Sequence, residues 1–555
     1  LGDVYKRQIN CFISLKLQDI KGENYMTTSI TLGMLMVYIA IMMGIGLYTS
    51  RKTKSVSDFV LGGRNVGSWL TAFAYGTSYF SAVVFIGYAG QFGWSYGVSA
   101  AWIGIGNAVI GSALAWIVLG RRTRIMSNHL NAKTMPEFFE KRFNSKGLKI
   151  ASALIVFIFL IPYTASVYNG LSRLFNMAFN LNSDSSYKII IIAMAIITAI
   201  YVILGGYTAT AINDFIQGIV MLIGIAAVVI CAINNQGGFS EALNKLGEIE
   251  INGQKNQFNS LFGPDPINLL GVIILTSLGT WGLPQMIHKF YAIKNENAIK
   301  KGTIISTVFA LIVAGGSYLL GGFDRLFCTL DSTDSSKTLI STLSNGKPEF
   351  DAMIPALLDT ALPDILIGLV VVLVLSASMS TLSSLVLTSS STLTIDFIKP
   401  KMKNQSDKKE VVIMRVLIAV FLLISVIIAF NKNASISTLM SYSWGALAGA
   451  FLGPFMFGLF SKKITKASVW ASFILGIGLT VGHMILFGFD LFPDLANKAA
   501  SFKLNLASPI NAGAITMILS IIIVPLISLI TKNSDKEHTE NVFKCYKSVS
   551  YTHLT

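Results

Sequence analysis

Charge is what this chain has least of. Of its 555 residues only 13% are Asp, Glu, Lys or Arg, against 53% hydrophobic, and a water-soluble protein of that length cannot cover its surface with so little charge. Clustered cysteines are missing too. Cys11, Cys231, Cys328 and Cys545 lie far apart and make no CxxC pair, which argues against a disulfide framework and a cysteine metal site. The five histidines are scattered and read as structural or surface residues. No paired carboxylates, Cys and His pair or nucleophile motif stands at a useful spacing, so an enzyme has no residues to begin from.

What the chain has in abundance is long apolar runs, recurring from near residue 27 to near residue 531 with short interruptions. A hydrocarbon core about 30 Å thick needs roughly 20 apolar residues per helix. That ruler gives about thirteen spans, at 27–49, 68–92, 98–120, 148–176, 187–204, 209–233, 266–290, 301–322, 364–395, 411–430, 435–460, 466–488 and 508–531. The runs are continuous rather than alternating, which favours helices over a barrel.

The net charge of +15 is distributed unevenly. One set of alternate loops holds Arg51, Lys52, Lys54 and Arg64, eight basic residues from Arg121 to Lys149, then Lys289, Lys294, Lys300 and Lys301. Lys399, Lys401, Lys403, Lys408, Lys409, Lys462, Lys463 and Lys466 continue the series, and the opposite loops carry far fewer. The positive-inside bias with an odd number of spans puts the N-terminus outside and the C-terminus in the cytoplasm. It also assigns the excess charge to the inner membrane face, which argues against nucleic acid as a partner and for a lipid bilayer.

The opening LGDVYKRQ and closing SVSYTHLT resemble translated adaptor read-through. Residues 1–25 are therefore expected to be non-native, with a natural start at Met26, a membrane domain over 26–531, and a cytoplasmic tail over 532–555 that is cut or replaced after about Lys544. Two outer segments, 234–265 and 323–363, read as surface loops, the second with a short helix in FDAMIPALLDTALP lying over the outer mouth.

Transport needs a site near the midplane, and such sites form where a helix breaks and frees backbone carbonyls. Two spans look broken. In the second, GTSYFSAVVFIGYAG, Gly76, Thr77, Ser78 and Ser81 interrupt an apolar run; in the seventh, SLGTWGLPQMIHKF, Gly279, Gly282 and Pro284 fall within six residues. Singly, each reads equally well as close helix packing or a proline kink. Their separation by five spans favours the functional reading. Spans 2 to 6 and 7 to 11 become two five-helix halves, each opening with a broken helix, and because five is odd the second half enters from the opposite side. The fold class is thus an all-α polytopic membrane protein with a 5+5 inverted-repeat core at about 68–233 and 266–460, plus flanking helices.

The ninth span carries LSASMSTLSSLVLTSSSTLTIDF, where Ser376, Ser380, Thr381, Ser384 and Thr388 recur at helical spacing and give one face a ladder of hydroxyls. Such hydroxyls often bond their own backbone or a neighbouring helix. A sodium ion, being hard, takes oxygen ligands, and neutral hydroxyls joined to carbonyls of a broken helix replace its water without holding it permanently.

These motifs resemble the sodium:solute symporter family, the group of bacterial proline, pantothenate and sugar carriers. The resemblance runs through DFVLGGRNVGSWLTAF, WIGIGNAVIGSALAWIVLGRRTR and LNAKTMPEFFEKRF, then YVILGGYTATAINDFIQG at 201–218, PQMIHKFYA at 284–292 and SASMSTLSS at 376–384, and covers essentially residues 27–531. It implies a LeuT-type fold, in keeping with the five-span offset. It also implies sodium-coupled import of a small organic solute, an amino acid, a carboxylate or similar, by alternating access at the plasma membrane. Na+ is the implied coupling ion, with lithium or proton in its place left open.

Residue by residue, the resemblance implies a sodium site made by the carbonyls of Thr77, Phe80 and Ala377 and the hydroxyls of Ser380 and Thr381. Asp214 takes the family's acidic position as a way station for sodium leaving toward the cytoplasm, with a helix-cap role as the competing reading. The chain departs from the family where solute is bound. Val84, beside Val83, stands where sugar carriers have a glutamine, and Thr276, with Trp281 nearby, stands where the proline carrier has a tryptophan, so these positions support neither sugar nor proline as the solute. The expected pocket lining is Tyr79, Val84, Tyr88, Gln91, Trp281 and Gln285, with ordinary packing as the alternative for each. Two other functions compete: a sodium channel, which needs a continuous polar path, and a solute sensor on a transporter fold, which needs an attached signalling domain.

Overall fold

The computed structural model describes residues 29–546 except 50–54, 180, 182, 344–345, 403–405, 431–434, 490 and 533–534. The expected start at Met26, the two read-through segments, and Arg51, Lys52, Lys54 and Lys403 lie outside the described residues.

The chain runs through α1 (Ser29–Thr49), α2 (Ser68–Tyr79), α3 (83–96), α4 (101–129), α5 (Met135–Phe143), α6 (Lys146–Ala178) and α7 (Asp184–Asn235). It continues with α8 (Pro266–Gly282), α9 (Pro284–Ala292), α10 (Glu296–Gly321), α11 (Met353–Ala361) and α12 (Asp364–Thr392). The last elements are α13 (Asp407–Ala429), α14 (Ile436–Phe460), α15 (Lys466–His483), α16 (Pro509–Ile530) and α17 (Lys536–Phe543). One small parallel strand pair, β1 (Cys328–Thr329) and β2 (Thr338–Leu339), sits in the loop before α11, with Cys328 opposite Thr338. Side chains close the helix starts, where amides have no helical partner: Ser145 accepts from Leu148 N, Asp265 from Asn268 N and Asn295 from Ala298 N.

Ten of the described runs are long and apolar enough to cross a membrane, or eleven if the bent pair α8 and α9 is one span, so the expected thirteen do not emerge as separate runs. The shortfall has a physical source. Val83–His129 has 47 residues and Asp184–Asn235 has 52; at 1.5 Å per residue these are roughly 70 and 78 Å of helix, each more than twice the hydrocarbon thickness. A glycine with positive φ turns each of them, Gly97 (φ 62°, ψ −144°) and Gly206 (φ 58°, ψ −156°), a conformation closed to most L side chains. At twelve residues, α2 is too short to be counted alone.

α12 is the buried centre, packed against α7, α6 and α2, while α14 packs against α16, α15, α6 and α8. The outer helices turn apolar side chains outward, among them Val37, Ile223, Ile304, Leu423 and Ile474, as helices in lipid do. Close backbone approach binds α3 to α10. A Cβ at Gly93 would lie 2.0 Å from the carbonyl of Gly321.

Alternate loops gather at two ends. At the basic end Arg124 donates to Ile293 O (2.6 Å), Arg142 donates to Gly458 O (2.8 Å) and Ser461 O (2.9 Å), and Lys462 pairs with Glu540 (2.6 Å). The tail is therefore folded under the bundle by α17. At the other end Trp102 donates to Leu261 O, Arg173 pairs with Glu349, and Asp351 accepts from the Ile436 amide that opens α14. The segments expected as surface loops hold the helix Phe239–Gly247 and α11, whose Met353, Ile354 and Leu357 are buried. The short helix expected over the mouth is thus wedged in, and Gly90 packs directly on the Phe350 carbonyl beside it.

A candidate ion and solute site

The first break falls slightly later than the sequence indicates. Thr77 and Ser78 are still helical; α2 ends at Tyr79 and Phe80 is extended (φ −109°, ψ 100°). Beyond it the amides of Val83 and Val84 turn to the Oγ and the carbonyl of Ser81 (3.2 and 3.0 Å). In a continuous helix those amides would serve Tyr79 and Phe80, so the Phe80 carbonyl is released from its helical donor. Wide π-type turns over Val83–Tyr88 then restart the helix as α3, a feature frequent at functional sites. The second break matches it. α8 ends at Gly282, Leu283 is extended (φ −79°, ψ 122°), and α9 leaves at 45°. The two broken helices also touch: Val66 N, just before α2, donates to Ala292 O at the end of α9 (3.2 Å).

Against the first break lies the hydroxyl face of α12. Ser380 Oγ donates to Thr77 Oγ1 (2.7 Å), while Thr381 Oγ1 stands 3.2 Å from Thr77 O, 3.5 Å from Ser78 O and 3.1 Å from Ala377 O. Phe80 and Ala377 line the same narrow apolar space with Ser81, Val84 and Leu373. All five expected ion ligands are thus fully buried and come from α2, its break and one turn of α12. Separations of 3.1–3.5 Å match the edges of an oxygen cage whose ligands stand about 2.3–2.6 Å from a hard cation of calcium's size. Such a cluster of neutral, buried oxygens has the chemistry to replace the water of a small monovalent cation. Of the rest of the ladder, Ser384 Oγ contacts Ser78 Oγ (2.7 Å), and Ser376 Oγ has no partner among the described residues.

Asp214 sits in α7 just after the Gly206 turn and is wholly buried. A cap for a helix end would stand in the first turn, so the cap reading fails: Asp214 lies eight residues beyond the turn. Its partner is Lys289 of α9, with Nζ 3.7 Å from Oδ2. Sequence reasoning counted Lys289 among the loop charges of the basic face. That was a misplacement, because Lys289 is 2% exposed and donates to Ser384 Oγ (2.9 Å) within the core. The signal was present in PQMIHKFYA: a lysine five residues beyond the Gly-Pro break lies on the helix, well short of the loop.

The expected lining residues separate into four groups. Tyr79 donates to Thr276 O (2.6 Å) and stacks on Phe80 (centroids 4.2 Å), and Trp281 Nε1 donates to Ile110 O (3.0 Å), so both polar atoms serve the scaffold. Tyr88 OH meets Ser441 Oγ (3.1 Å) and Gln91 accepts from Ser437, which ties α3 to α14. Gln91 also borders a cavity of about 540 Å³ at the end opposite the basic loops, together with Trp94, Asp265, Asn268, Arg325 and Asn511. Val84 faces the narrow space beside the ion ligands. Gln285 is 1% exposed, and neither amide atom has a partner among the described residues. A buried amide left unpaired inside a protein costs free energy.

Comparison with known proteins agrees with the motifs. Residues 59–476 match the sodium:solute symporter family. The sodium/proline symporter of Staphylococcus aureus is 30% identical over 454 residues, 80% of this chain and 83% of the relative. The osmoregulated proline transporter OpuE of Bacillus subtilis (strain 168) is 29% identical over 445 residues, 79% and 86% of the two chains. Among solved structures, the substrate-bound outward-open state of a Na+-coupled sialic acid symporter superposes with a TM-score of 0.68 at 17% identity, covering 91% of this chain and 98% of that one. Mhp1, a nucleobase-cation-symport-1 family transporter in a closed conformation, follows with a TM-score of 0.50 at 14% identity, covering 87% and 97%. At such identities the structures speak for the fold alone, which is the expected LeuT type. With its family match over most of its length, its two broken helices and its apolar helical bundle, the chain belongs to the sodium:solute symporter family and is a membrane transporter, not an enzyme.

Proposed function

We propose that this protein imports a small zwitterionic solute of the proline type, drawn in with a sodium ion held by the carbonyls of Thr77, Phe80 and Ala377 and the hydroxyls of Ser380 and Thr381. The single observation that carries this is the meeting of Thr381 Oγ1 with three backbone carbonyls at 3.1–3.5 Å, directly beside the extended Phe80. The solute class is suggested by the relatives' names. Gln285 serves as polar anchor. Trp281 and Tyr79 hold the second and first breaks in shape. The halves at about 68–233 and 266–460 rock against each other in the plasma membrane, with the N-terminus outside and the basic end in the cytoplasm. Sodium leaves toward the basic end past Asp214.

Sodium binding joins α2 to α12 and completes the solute pocket; by reciprocity solute tightens sodium equally. The driving force suffices: about 2.3 kcal/mol per charge per 100 mV and about 1.4 kcal/mol for a tenfold gradient together allow roughly several-hundredfold accumulation. The test is uptake into proteoliposomes under an imposed sodium gradient, with proline first and then other amino acids, monocarboxylates, pantothenate and sugars. Sodium-dependent, saturable uptake of one of these is expected, and its absence across the panel would overturn symport. Uncoupled sodium flux without any solute would favour a channel instead.

A further inference from the structure

The link between α15 and α16 carries more bare apolar surface than a water-facing loop tolerates. Phe489, Leu491, Phe492, Leu495, Phe502 and Leu506 are each 40–60% exposed, and a contiguous apolar patch on a protein surface normally has a partner. They lie in and around the helix Pro493–Ala500, which turns Ala499 inward. The link between β1 and β2, at the same end of the bundle, is built differently, with Asp331, Ser332, Thr333, Ser335 and Ser336 exposed.

The two neighbouring spans already account for the depth of the hydrocarbon. Lys466–Gly488 has 23 residues and Pro509–Ile530 has 22, roughly 35 and 33 Å of helix against a core of about 30 Å. The link therefore lies just beyond the core, at the end opposite the basic loops, where the headgroups begin. Its apolar surface continues that of the spans it joins: Leu479, Ile485 and Leu486 lead into Phe489, and Ile518 and Ile522 are exposed on α16. Lys498 and Lys503 are exposed as well, with Asp494 the exposed acid of the short helix. A lysine stem can lie on apolar surface while its ammonium reaches a phosphate.

We infer that this link is a lipid-binding surface whose partner is phospholipid of the leaflet opposite the basic loops. Phe489, Leu491, Phe492, Leu495 and Phe502 sit among the upper acyl carbons, as the apolar face of an interfacial helix does, and Lys498 and Lys503 meet the phosphates. The contact bears on the second broken helix. Asn268, in the first turn of α8, accepts from the Asn505 amide (3.0 Å) and from Asn511 Nδ2 (2.6 Å), and donates to Lys503 O (3.1 Å). The Leu506 amide returns to Ala499 O (3.1 Å). Lipid that fixes the link in place therefore also holds the start of α8.

The unaltered chain in nanodiscs tests the contact, with phosphatidylcholine that carries a diazirine on an acyl carbon near the headgroup. After photolysis, peptide mass spectrometry should find adducts on residues 491–506 about as often as on Ile485 and Leu486, and hardly any on 331–337. Adducts on Ile485 and Leu486 without adducts on 491–506 overturn the inference, and so does cross-linking of that segment to a second copy of the chain in their place. Leu495→Ser/Phe502→Ser tests the consequence, with Phe502→Ser alone as the milder arm. Either variant loosens the link from lipid, so hydrogen exchange at the Asn505 amide should quicken, by at least about tenfold in the double variant. Unchanged exchange across α12 shows that the fold is intact. Wild-type exchange at Asn505 in both variants overturns the hold on α8.

Discussion

Replacing Thr381 by valine keeps the side-chain volume and removes one oxygen. In the structure that oxygen is fully buried and lies between 3.1 and 3.5 Å from the carbonyls of Ala377, Thr77 and Ser78. A dehydrated cation loses one of its five proposed ligands. Interactions of a hydroxyl with a charged group are worth about 1.5–3 kcal/mol, so half-saturating sodium should rise about 10- to 150-fold. The loss to the fold is smaller, one neutral hydrogen bond of about 1 kcal/mol. Initial uptake rates against external sodium in proteoliposomes read the first effect, and thermal unfolding in detergent reads the second. Thr381→Ser keeps the oxygen and should stay close to wild type. Wild-type sodium dependence in Thr381→Val would refute ligation, and equal impairment of the Ser and Val variants would refute it differently, by showing that the methyl group and its packing are what matter.

Gln285→Leu should raise the half-saturating solute concentration about tenfold or more while leaving thermal stability intact, because its amide makes no bond among the described residues and one solute contact is worth roughly 1–2 kcal/mol. Gly93→Ala should misfold or lose about 1–3 kcal/mol, read by monodispersity and thermal unfolding, since the new Cβ would sit 2.0 Å from the backbone of Gly321. Lys149→Met strands the wholly buried Asp396, which is otherwise held by Thr134 (2.6 Å) and Lys149 (3.7 Å), and should lose about 3–5 kcal/mol, much of it recovered by adding Asp396→Asn. At the end opposite the basic loops burial raises the Asp351 carboxyl above its ordinary range, outweighing Arg173 and the Ile436 amide. The folded chain then holds that proton more tightly than the unfolded chain. Its contribution is therefore fully present below the unfolded pKa and is lost as pH rises through the folded one. Asp351→Asn, uncharged throughout, should gain stability on wild type as pH rises through that interval, and a constant difference across pH would contradict it.

The features legible in the sequence are those that depend on local composition. Apolar runs announced the helices, Gly-Pro and Gly-Thr-Ser interruptions announced both breaks, and the spacing of Ser376 to Thr388 announced the hydroxyl face. Thr77, Ala377, Ser380 and Thr381 lie together in the structure, as the family resemblance implied. Errors arose where two long-range facts combine. Counting spans by hydropathy cannot register a turn made by one glycine such as Gly206, because the turn leaves the apolar composition on both sides unchanged. Counting positive charges by position cannot distinguish Lys289 from Lys294 or Lys300, because what removes it from the surface is a carboxylate 75 residues earlier in the chain. The lining residues were ambiguous for the same reason: Tyr79 and Trp281 carry polar atoms that fit a solute, but Thr276 and Ile110 already use them.

Those distant pairings converge on a single helix. The first broken helix reaches α12 through Thr77 and Ser78, which meet Ser380, Thr381 and Ser384. The second broken helix reaches it through Lys289, which also meets Ser384. The two elements that define the inverted halves therefore share one hydroxyl, at Ser384, and that hydroxyl sits one turn from the ion ligands. Neither broken helix can tilt without moving an oxygen that the other depends on. A packed core has discrete arrangements rather than a continuum of them, so displacement of either helix must exchange one set of oxygen contacts for another. In the mechanism proposed above, the ion is the component that chooses between the sets. That shared contact is the physical means by which the proposed mechanism links sodium affinity to the orientation of the two halves.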